Sequence, residues 1–368
     1  MKNHILKSLL TAIITLLIVI TLNFFLPRMI FSDPAAPYLI GIPEDEVLLI
    51  EQIREAYGFN DSIFVQFGIY LKNVFTLNFG NSYIYKEPVF NVMFSRMPWS
   101  IFLNLTVLLI SVFSGIIFGS KAAKNRGRKT DRFLLKSNSI LASIPTFWLA
   151  LISVIIFSFV ITIFPYSGAM SPGYSLNFYS TVFVISYVVI CAVLISIAIL
   201  LKKKWMIFIV PFLAIYVSLS LSIPMDDIMD VLYHSVLPIG VVAIGGIFGY
   251  AFNIRNYMLN VVNEDYILTA QAKGLPNNVI LYRHTFKNAM LPLVTGLGVS
   301  FVGLFGGSVL IEQIFSWPGM GQLMLEANNM GDFQLAQAIL LFFSILTILA
   351  NLITDLIYHK LDPRVSVN

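Results

Sequence analysis

Residues 99–120 read WSIFLNLTVLLISVFSGIIFGS, a continuous run without a charged side chain. A transmembrane helix needs about 20 predominantly apolar residues, and this run has that length and composition. Seven more uncharged apolar runs follow the same pattern, at residues 9–26, 137–164, 178–201, 205–223, 231–254, 288–311 and 333–354. The sequence therefore predicts an all-α integral membrane protein, a polytopic helical bundle with eight spans.

The composition excludes a soluble protein. Of the 368 residues, 58% are apolar and 11% are charged, against about 25% charged residues in ordinary soluble domains. The net charge of +4 does not indicate a nucleic-acid partner, because the basic residues do not form the continuous face that groove binding requires. The apolar surface instead requires a lipid bilayer as its partner.

The positions of Lys and Arg predict the topology, since basic residues near span ends stay cytoplasmic. With the N terminus inside, only five of the 23 basic residues lie outside, namely Arg28, Arg54, Lys72, Lys86 and Arg96. Residues 1–30 then form an uncleaved membrane anchor, because the apolar core is too long for a signal peptide and no small-residue cleavage site follows it. Residues 31–98 form an extracytoplasmic segment, and residues 99–368 form the transmembrane domain with a cytoplasmic C terminus.

Apolar spacing predicts short amphipathic helices in the extracytoplasmic segment rather than strands. The residues that carry this spacing are Val47, Ile50, Ile53, Ile63, Val65, Phe67 and Leu71.

No predicted span contains Asp, Glu, Lys or Arg. An ion-coupled carrier or a channel would need intramembrane ionisable groups or a filter-like repeat, and a membrane enzyme would need reactive groups of which only His234 is available. A phosphate-cradling Gly-rich loop is also missing, so the chain does not bind ATP through a P-loop. Cys191 alone builds no disulfide or cysteine-based metal site. We predict a non-catalytic subunit without cofactor or metal, and a self-contained secondary transporter or a membrane enzyme as the less favoured alternatives.

The cytoplasmic segment 255–287 contains the most informative local pattern. Asn263 is a suitable N-cap, Asp265 places negative charge on the first turn, Gly274 provides a left-handed C′ residue, and Pro276 prevents continuation. The result is a helix of about ten residues, too short to span a membrane. Its apolar residues predict a protein groove on the cytoplasmic face as partner, or a position in the lipid interface as the alternative.

The same segment carries a family resemblance. The run EDYILTAQAKGL at residues 264–275, with Arg283-His284 and NAMLP at 288–292, resembles the cytoplasmic signature of binding-protein-dependent ABC transporter permeases. The likeness is closest to the first membrane subunit of the oligopeptide, dipeptide and nickel family. Leu268 stands where that signature has a leading Glu, a departure that is usual in the peptide branch.

Further landmarks of that family recur in order along the chain. They are SDPA at 32–35, YGFND at 57–61, GNSY at 80–83, RMP at 96–98, IEQIFSWPGMG at 311–321 and LDPR at 361–364. The resemblance implies the fold of a type I ABC importer permease, with six family spans. Residues 178–223 then form an inserted two-span hairpin, for which peripheral packing against lipid is the simplest interpretation.

The resemblance also implies a mechanism and a set of partners. The expected partners are a second homologous permease, two cytoplasmic ATP-binding subunits that hydrolyse the ATP, and an extracytoplasmic substrate-binding protein, in a bacterial cytoplasmic membrane. Residues 265–274 correspond to the helix that couples to the ATPase, with Asp265, Ala270, Lys273 and Gly274 as contact residues. The expected substrates are oligopeptides or dipeptides; nickel or a metal chelate is the alternative.

Two Gly-x-x-x-Gly spacings, Gly245 with Gly249 and Gly303 with Gly307, permit close helix contact. We predict packing within the bundle at these glycines, or lining of the substrate path or of the interface with the second permease. The external stretch 312–332, with a rigid turn at Trp317-Pro318-Gly319, is the expected docking region for the binding protein.

Overall fold

The computed structural model describes residues 2–30, 47–56, 58, 60–173, 225–276, 279–306 and 308–361. Within these residues the secondary structure is helical, apart from one isolated β-bridge between Asn81 and Pro88. The helices are α1 (Lys2–Ile30), α2 (Val47–Ala56), α3 (Ile63–Thr76), α4 (Val89–Lys124), α5 (Lys129–Ser143), α6 (Thr146–Val154), π1 (Ile155–Val160), α7 (Met225–Val262), α8 (Asp265–Ala272), π2 (Ile280–Thr285), α9 (Phe286–Ala289), α10 (Leu291–Gly306), α11 (Val309–Ile314), α12 (Met320–Asn329) and α13 (Phe333–Leu361). The prediction of an all-α fold is confirmed, and α2 and α3 confirm the short helices expected between the first two spans.

Four described helices are long and apolar enough to cross a membrane. Their spanning parts are Ser8–Phe25, Val89–Lys124, Asp226–Val262 and Phe333–Leu352. They coincide with four of the eight predicted spans and make the chain a multi-pass membrane protein. The count of eight is not confirmed.

The predicted span at residues 137–164 is broken. Helices α5 and α6 meet at an angle of 89°. The break lies at Ile144, whose φ of −104° and ψ of 124° are extended, followed by Pro145 at the start of α6. A proline disfavours the helical conformation of the residue before it, so this bend follows from a residue that the span count overlooked.

The predicted span at residues 288–311 is also not one helix. It consists of α9, α10 and the beginning of α11, which are separate short elements. The predicted hairpin at 178–223 lies outside the described residues.

The described chain divides into two compact units, Met1–Met97 with Met320–Asn368 and Pro98–Gly319. In the first unit, α1 packs along α13. Asn23 Nδ2 donates to the carbonyl of Gln337 at 2.8 Å, and Gln337 Nε2 donates to the carbonyl of Asn23 at 2.9 Å. Hydrogen bonds between side chains and backbone hold helices together where lipid provides no partner, so this reciprocal pair sets the register of α1 against α13.

A buried carboxylate organises the N-terminal end of α13 in the same unit. Asp332 is fully buried; it accepts hydrogen bonds from Ser82 Oγ at 2.6 Å and from the backbone N–H of Leu335 at 3.1 Å. It thereby caps α13 and holds the loop before α4. Beside this loop, burial and the hydrogen bond that Tyr85 donates to Glu326 raise the pKa of Tyr85 above its usual value.

In the second unit, the core of the bundle surrounds Trp317. This side chain is fully buried; its indole N–H donates to the carbonyl of Trp99 at 3.0 Å, and its ring stacks on Phe102 with a centroid distance of 5.7 Å. The predicted external turn at Trp317 is therefore packed into the core. Neighbouring Glu312 is also fully buried and accepts a hydrogen bond from Ser100 Oγ at 2.7 Å.

Candidate coupling site

Helix α8 is the short helix that the sequence predicts in the segment 255–287. It spans Asp265–Ala272, eight residues rather than about ten, and its N-cap is Glu264 rather than Asn263. The prediction of the N-cap was wrong because Asn263 still belongs to the last turn before α8: its side-chain amide donates to the carbonyl of Leu259 at 3.3 Å.

The C-terminal end of α8 has the predicted form. Gly274 has a φ of +74°, a conformation that residues other than glycine adopt at a cost of about 1–2 kcal/mol. Its N–H donates to the carbonyl of Gln271 at 2.9 Å, and the N–H of Leu275 reaches the carbonyl of Ala270 at 3.4 Å. These bonds satisfy carbonyls at the end of the helix and reverse the chain.

One face of α8 is covered by the chain itself. Ile267 and Ala270 are buried, and they cluster with Ile280 at the start of π2. The Asn288 side-chain amide donates to the Tyr266 hydroxyl at 2.8 Å, a second tie between α8 and the following helices. The apolar residues Ile267, Leu268 and Ala270 were expected to face water unless a partner covers them. This expectation was wrong for Ile267 and Ala270, while Leu268 is exposed. A turn back of the chain through Pro276 supplies the cover, which sequence periodicity alone does not reveal.

The opposite face of α8 is open. Leu268 is 54% exposed and Tyr266 is 43% exposed. Asp265, Lys273 and Gly274 are also exposed. The predicted coupling residues therefore divide into three that lie at the surface and Ala270, which supports the helix from inside. We refer to Asp265, Tyr266, Leu268, Lys273 and Gly274 as the coupling surface.

A buried ion pair anchors the helix that leads into α8. Arg255, near the end of α7, donates from Nε to Asp131 Oδ1 at 2.7 Å and from a terminal nitrogen to Oδ2 at 3.1 Å. The two side chains are 14% and 3% exposed. Asp131 also accepts a hydrogen bond from the N–H of Gly127 at 2.7 Å. Both oxygens of the carboxylate therefore accept hydrogen bonds from within the chain. The pair fixes α7 to the first turn of α5.

Sequence reasoning did not single out Asp131. The positions of Lys and Arg were used only to predict the topology, both for Arg255 and for the seven basic residues between 121 and 136. The available signal was a lone acidic residue among seven basic ones in that stretch. Such a residue is a natural partner for a cation that lies near the end of a span.

Close helix contact occurs at glycines that sequence reasoning overlooked. A Cβ atom at Gly115 would lie 2.6 Å from Tyr250 Cβ, and one at Gly119 would lie 2.5 Å from the carbonyl oxygen of Ala251. These two α4 residues let α4 and α7 approach closely. Both belong to a third Gly-x-x-x-Gly spacing.

The glycines that the sequence predicts as packing positions do not lie at this contact between α4 and α7. Around Gly245, Gly249 and Gly303, no atom of the described chain would come within 4 Å of an added Cβ, and Gly307 is outside the described residues. The described part of the chain thus does not use these three glycines for internal packing.

Comparison with known proteins agrees with this architecture. A family model described as "Binding-protein-dependent transport system inner membrane component" matches residues 115–367. The chain belongs to this family. A second model, "Binding-prot-dependent transport system membrane comp, N-term", matches residues 1–104. The predicted resemblance is confirmed: the chain is a non-catalytic ABC transporter permease, which functions together with other ABC subunits.

Curated relatives match along the whole chain. The oligopeptide transport system permease protein AppB of Bacillus subtilis is 29% identical over 366 residues, and the glutathione transport system permease protein GsiC of Salmonella typhimurium is 30% identical over 365 residues. Each alignment covers 99% of this chain and 99% of the relative. The ABC permease is thus similar from end to end to proteins named as transport permeases.

Proposed function

We propose that this permease is a membrane-spanning subunit of an ATP-driven importer for oligopeptides or dipeptides. Its proposed partners are a second homologous permease, two cytoplasmic ATP-binding subunits and an extracytoplasmic substrate-binding protein. The names of the relatives support the substrate class, since one is an oligopeptide permease and glutathione is itself a short peptide. The membrane is a bacterial cytoplasmic membrane, with both termini and α8 on the cytoplasmic side.

The observation that carries the coupling role is the exposed face of a helix that the chain itself holds in place. An exposed helix face with Tyr266 and Leu268 between charged ends fits a groove of a partner protein on the cytoplasmic side. The buried side of α8 against Ile280 lets the helix transmit force without moving independently of its neighbours. Closure of two ATP-binding subunits would pull the coupling surfaces of the two permeases together and turn the pore outward, a rigid-body switch.

The Asp131–Arg255 pair completes this path. The coupling surface follows directly after α7, and the pair ties the end of α7 to a second cytoplasmic segment. A displacement of α8 therefore moves α7 and α5 together. In this proposal the pair is a positioning element, and only the coupling surface touches the ATP-binding subunit.

Two glycines provide a matched test. Gly274 has a φ of +74° and Gly173 has a φ of +99°, and neither has an atom within 4 Å of an added Cβ. Gly274→Trp and Gly173→Trp therefore both strain the backbone at an open glycine, on opposite sides of the membrane in the proposed topology. We expect Gly274→Trp to abolish ATP-dependent uptake and copurification with the ATP-binding subunits, because the bulky ring blocks the coupling surface. Gly173→Trp should retain both.

The measurement is uptake of labelled dipeptides and pentapeptides into proteoliposomes that contain the complete transporter. Equal uptake by both variants would refute the coupling role. Uptake of Ni²⁺ in place of peptides by the unmodified complex would instead favour the metal alternative and leave the coupling role intact.

A further inference from the structure

Helix α3 exposes large apolar side chains outside its packed face. Phe67, Tyr70, Leu71 and Val74 form the packed face, against α1 and α13. Phe64 and Phe75 flank this face and are 82% and 71% exposed, and Ile69 on the far side is 45% exposed. Between residues 63 and 77 the only charged side chain is Lys72. A helix in water would not present so much large apolar surface without a cover.

The contacts of α3 fix its depth. Its N-terminal part lies at the end of α1, where Gln66 Oε1 accepts hydrogen bonds from Arg28 at 3.2 and 3.3 Å. Its C-terminal part lies further down α1, because Val74 packs with Ile20 in one buried cluster. The helix α3 therefore runs antiparallel to α1 and descends alongside it.

The depth of Val74 in the membrane can be measured along two spanning helices, α1 and α13, and the two values agree. With a rise of about 1.5 Å per residue, Ile20 lies about 12 Å along α1 from Arg28. Leu341, a member of the same cluster as Val74, lies about 12 Å along α13 from its first residue, Phe333. The hydrocarbon core of a bilayer is about 30 Å thick, so Val74 lies well inside one leaflet.

Two polar groups of α3 are compatible with this depth. The Thr76 hydroxyl donates to the carbonyl of Lys72 at 2.8 Å, so the helix itself satisfies it. Lys72 is exposed and sits between the shallow and the deep end of the helix. A lysine can extend its apolar stem along the hydrocarbon and place its ammonium at the phosphate level. The exposed side of α1 beside α3 is itself a lipid-facing surface, with Leu17 at 49% and Leu22 at 52% exposure.

We propose that α3 is a re-entrant helix immersed in the leaflet at the Arg28 end of α1, with lipid acyl chains covering Phe64, Ile69 and Phe75. This assigns residues 63–79, predicted as part of an extracytoplasmic segment, to the membrane. The depth rests on contacts with two spanning helices; only the naming of this leaflet as the outer one rests on the proposed orientation.

Spin-label accessibility in the complete transporter tests this proposal. In a Cys191→Ser background, single cysteines replace Phe64, Ile69 and Phe75, with Leu17→Cys as a lipid-facing control and Glu87→Cys as a water-facing control. After reconstitution into lipid vesicles, power saturation compares collisions with oxygen, which concentrates in lipid, and with a water-soluble nickel chelate. Retained peptide uptake shows that each variant is folded.

We expect the ratio of oxygen to nickel-chelate accessibility to rise from position 64 to position 75 and to approach the Leu17 value. A label at position 75 that behaves as at Glu87 would overturn the proposal. A label that neither reagent reaches would assign the face to a protein such as the binding protein and would overturn it as well. An impermeant thiol reagent applied to Glu87→Cys in sealed vesicles tests the orientation separately.

Discussion

Two stretches that carry the family resemblance, residues 264–275 and 311–321, differ in what their side chains do. In the first, Leu268 is 54% exposed and the helix ends in an open glycine. In the second, Glu312 and Trp317 are fully buried. Gly319 has no room for a side chain because Glu312 and Ser100 occupy the space.

The comparison shows that a family signature marks two different physical roles. The buried stretch holds the bundle together through a hydrogen-bonded carboxylate and an indole, so its substitutions should reduce stability. The coupling surface of the first stretch contributes little to the fold, so substitutions at its exposed residues should reduce coupling with stability intact. Burial separates the two roles, and the sequence pattern does not.

The largest expected effect is on the buried stretch. Trp317→Ala removes a fully buried side chain and should lower the free energy of unfolding by about 3–5 kcal/mol. Trp148 is 49% exposed, and Trp148→Ala should change the free energy by no more than about 0.5 kcal/mol. Denaturant titration in mixed micelles measures both.

A more conservative substitution separates the two contributions of the Trp317 indole, its ring packing and its hydrogen bond. Trp317→Phe retains an aromatic ring beside Phe102 and loses the hydrogen bond to Trp99. It should cost less than the alanine variant, because a net hydrogen bond contributes about 1 kcal/mol. Equal losses for Trp317→Ala and Trp148→Ala would contradict the assignment of residues 311–321 to the core.

A smaller effect is expected at the Asp131–Arg255 pair, which ties α7, the helix before α8, to α5. Asp131→Asn leaves the Arg255 cation in a mostly buried site and should cost about 3 kcal/mol in the free energy of unfolding. Glu87→Gln, at an exposed acidic residue, serves as the control and should cost no more than about 0.5 kcal/mol.

The reversed pair tests whether the charges interact with each other. Asp131→Arg combined with Arg255→Asp should recover part of the stability that either single substitution removes, since coupled neighbours are not additive. Uptake should return in parallel with stability. A double variant that loses the sum of the two single losses would show that the two side chains act independently.

Much of the fold follows from the apolar runs. The runs at 9–26, 99–120, 231–254 and 333–354 coincide with helices of spanning length, because a bilayer demands about 20 apolar residues in a row. The run at 137–164 satisfied this length test and still does not form one straight helix, because the chain bends by 89° beside Pro145. Counting apolar residues along a window does not detect a single proline that changes the direction of the backbone.

The candidate site was predictable in its local features only. Capping rules located the end of α8 at Gly274, since that requirement is local. The burial of Ala270 depends on Ile280, and the role of Asp131 depends on Arg255, a residue distant in sequence. The close approach of α4 and α7 was missed because the glycine spacings at 245/249 and 115/119 look alike, and only the positions of the neighbouring helices distinguish them.

The most direct test of the central claim uses a photo-crosslinking residue at Leu268. This substitution has the smallest expected effect on stability, about 0.5 kcal/mol or less, because the side chain is exposed. In the complete transporter, irradiation should link position 268 to a cytoplasmic ATP-binding subunit. The same residue at Lys129, which is exposed and is proposed to lie on the same side of the membrane, should give little of that product. Crosslinking of position 268 to lipid alone, or more of the ATP-binding subunit captured from position 129, would contradict the coupling role of α8.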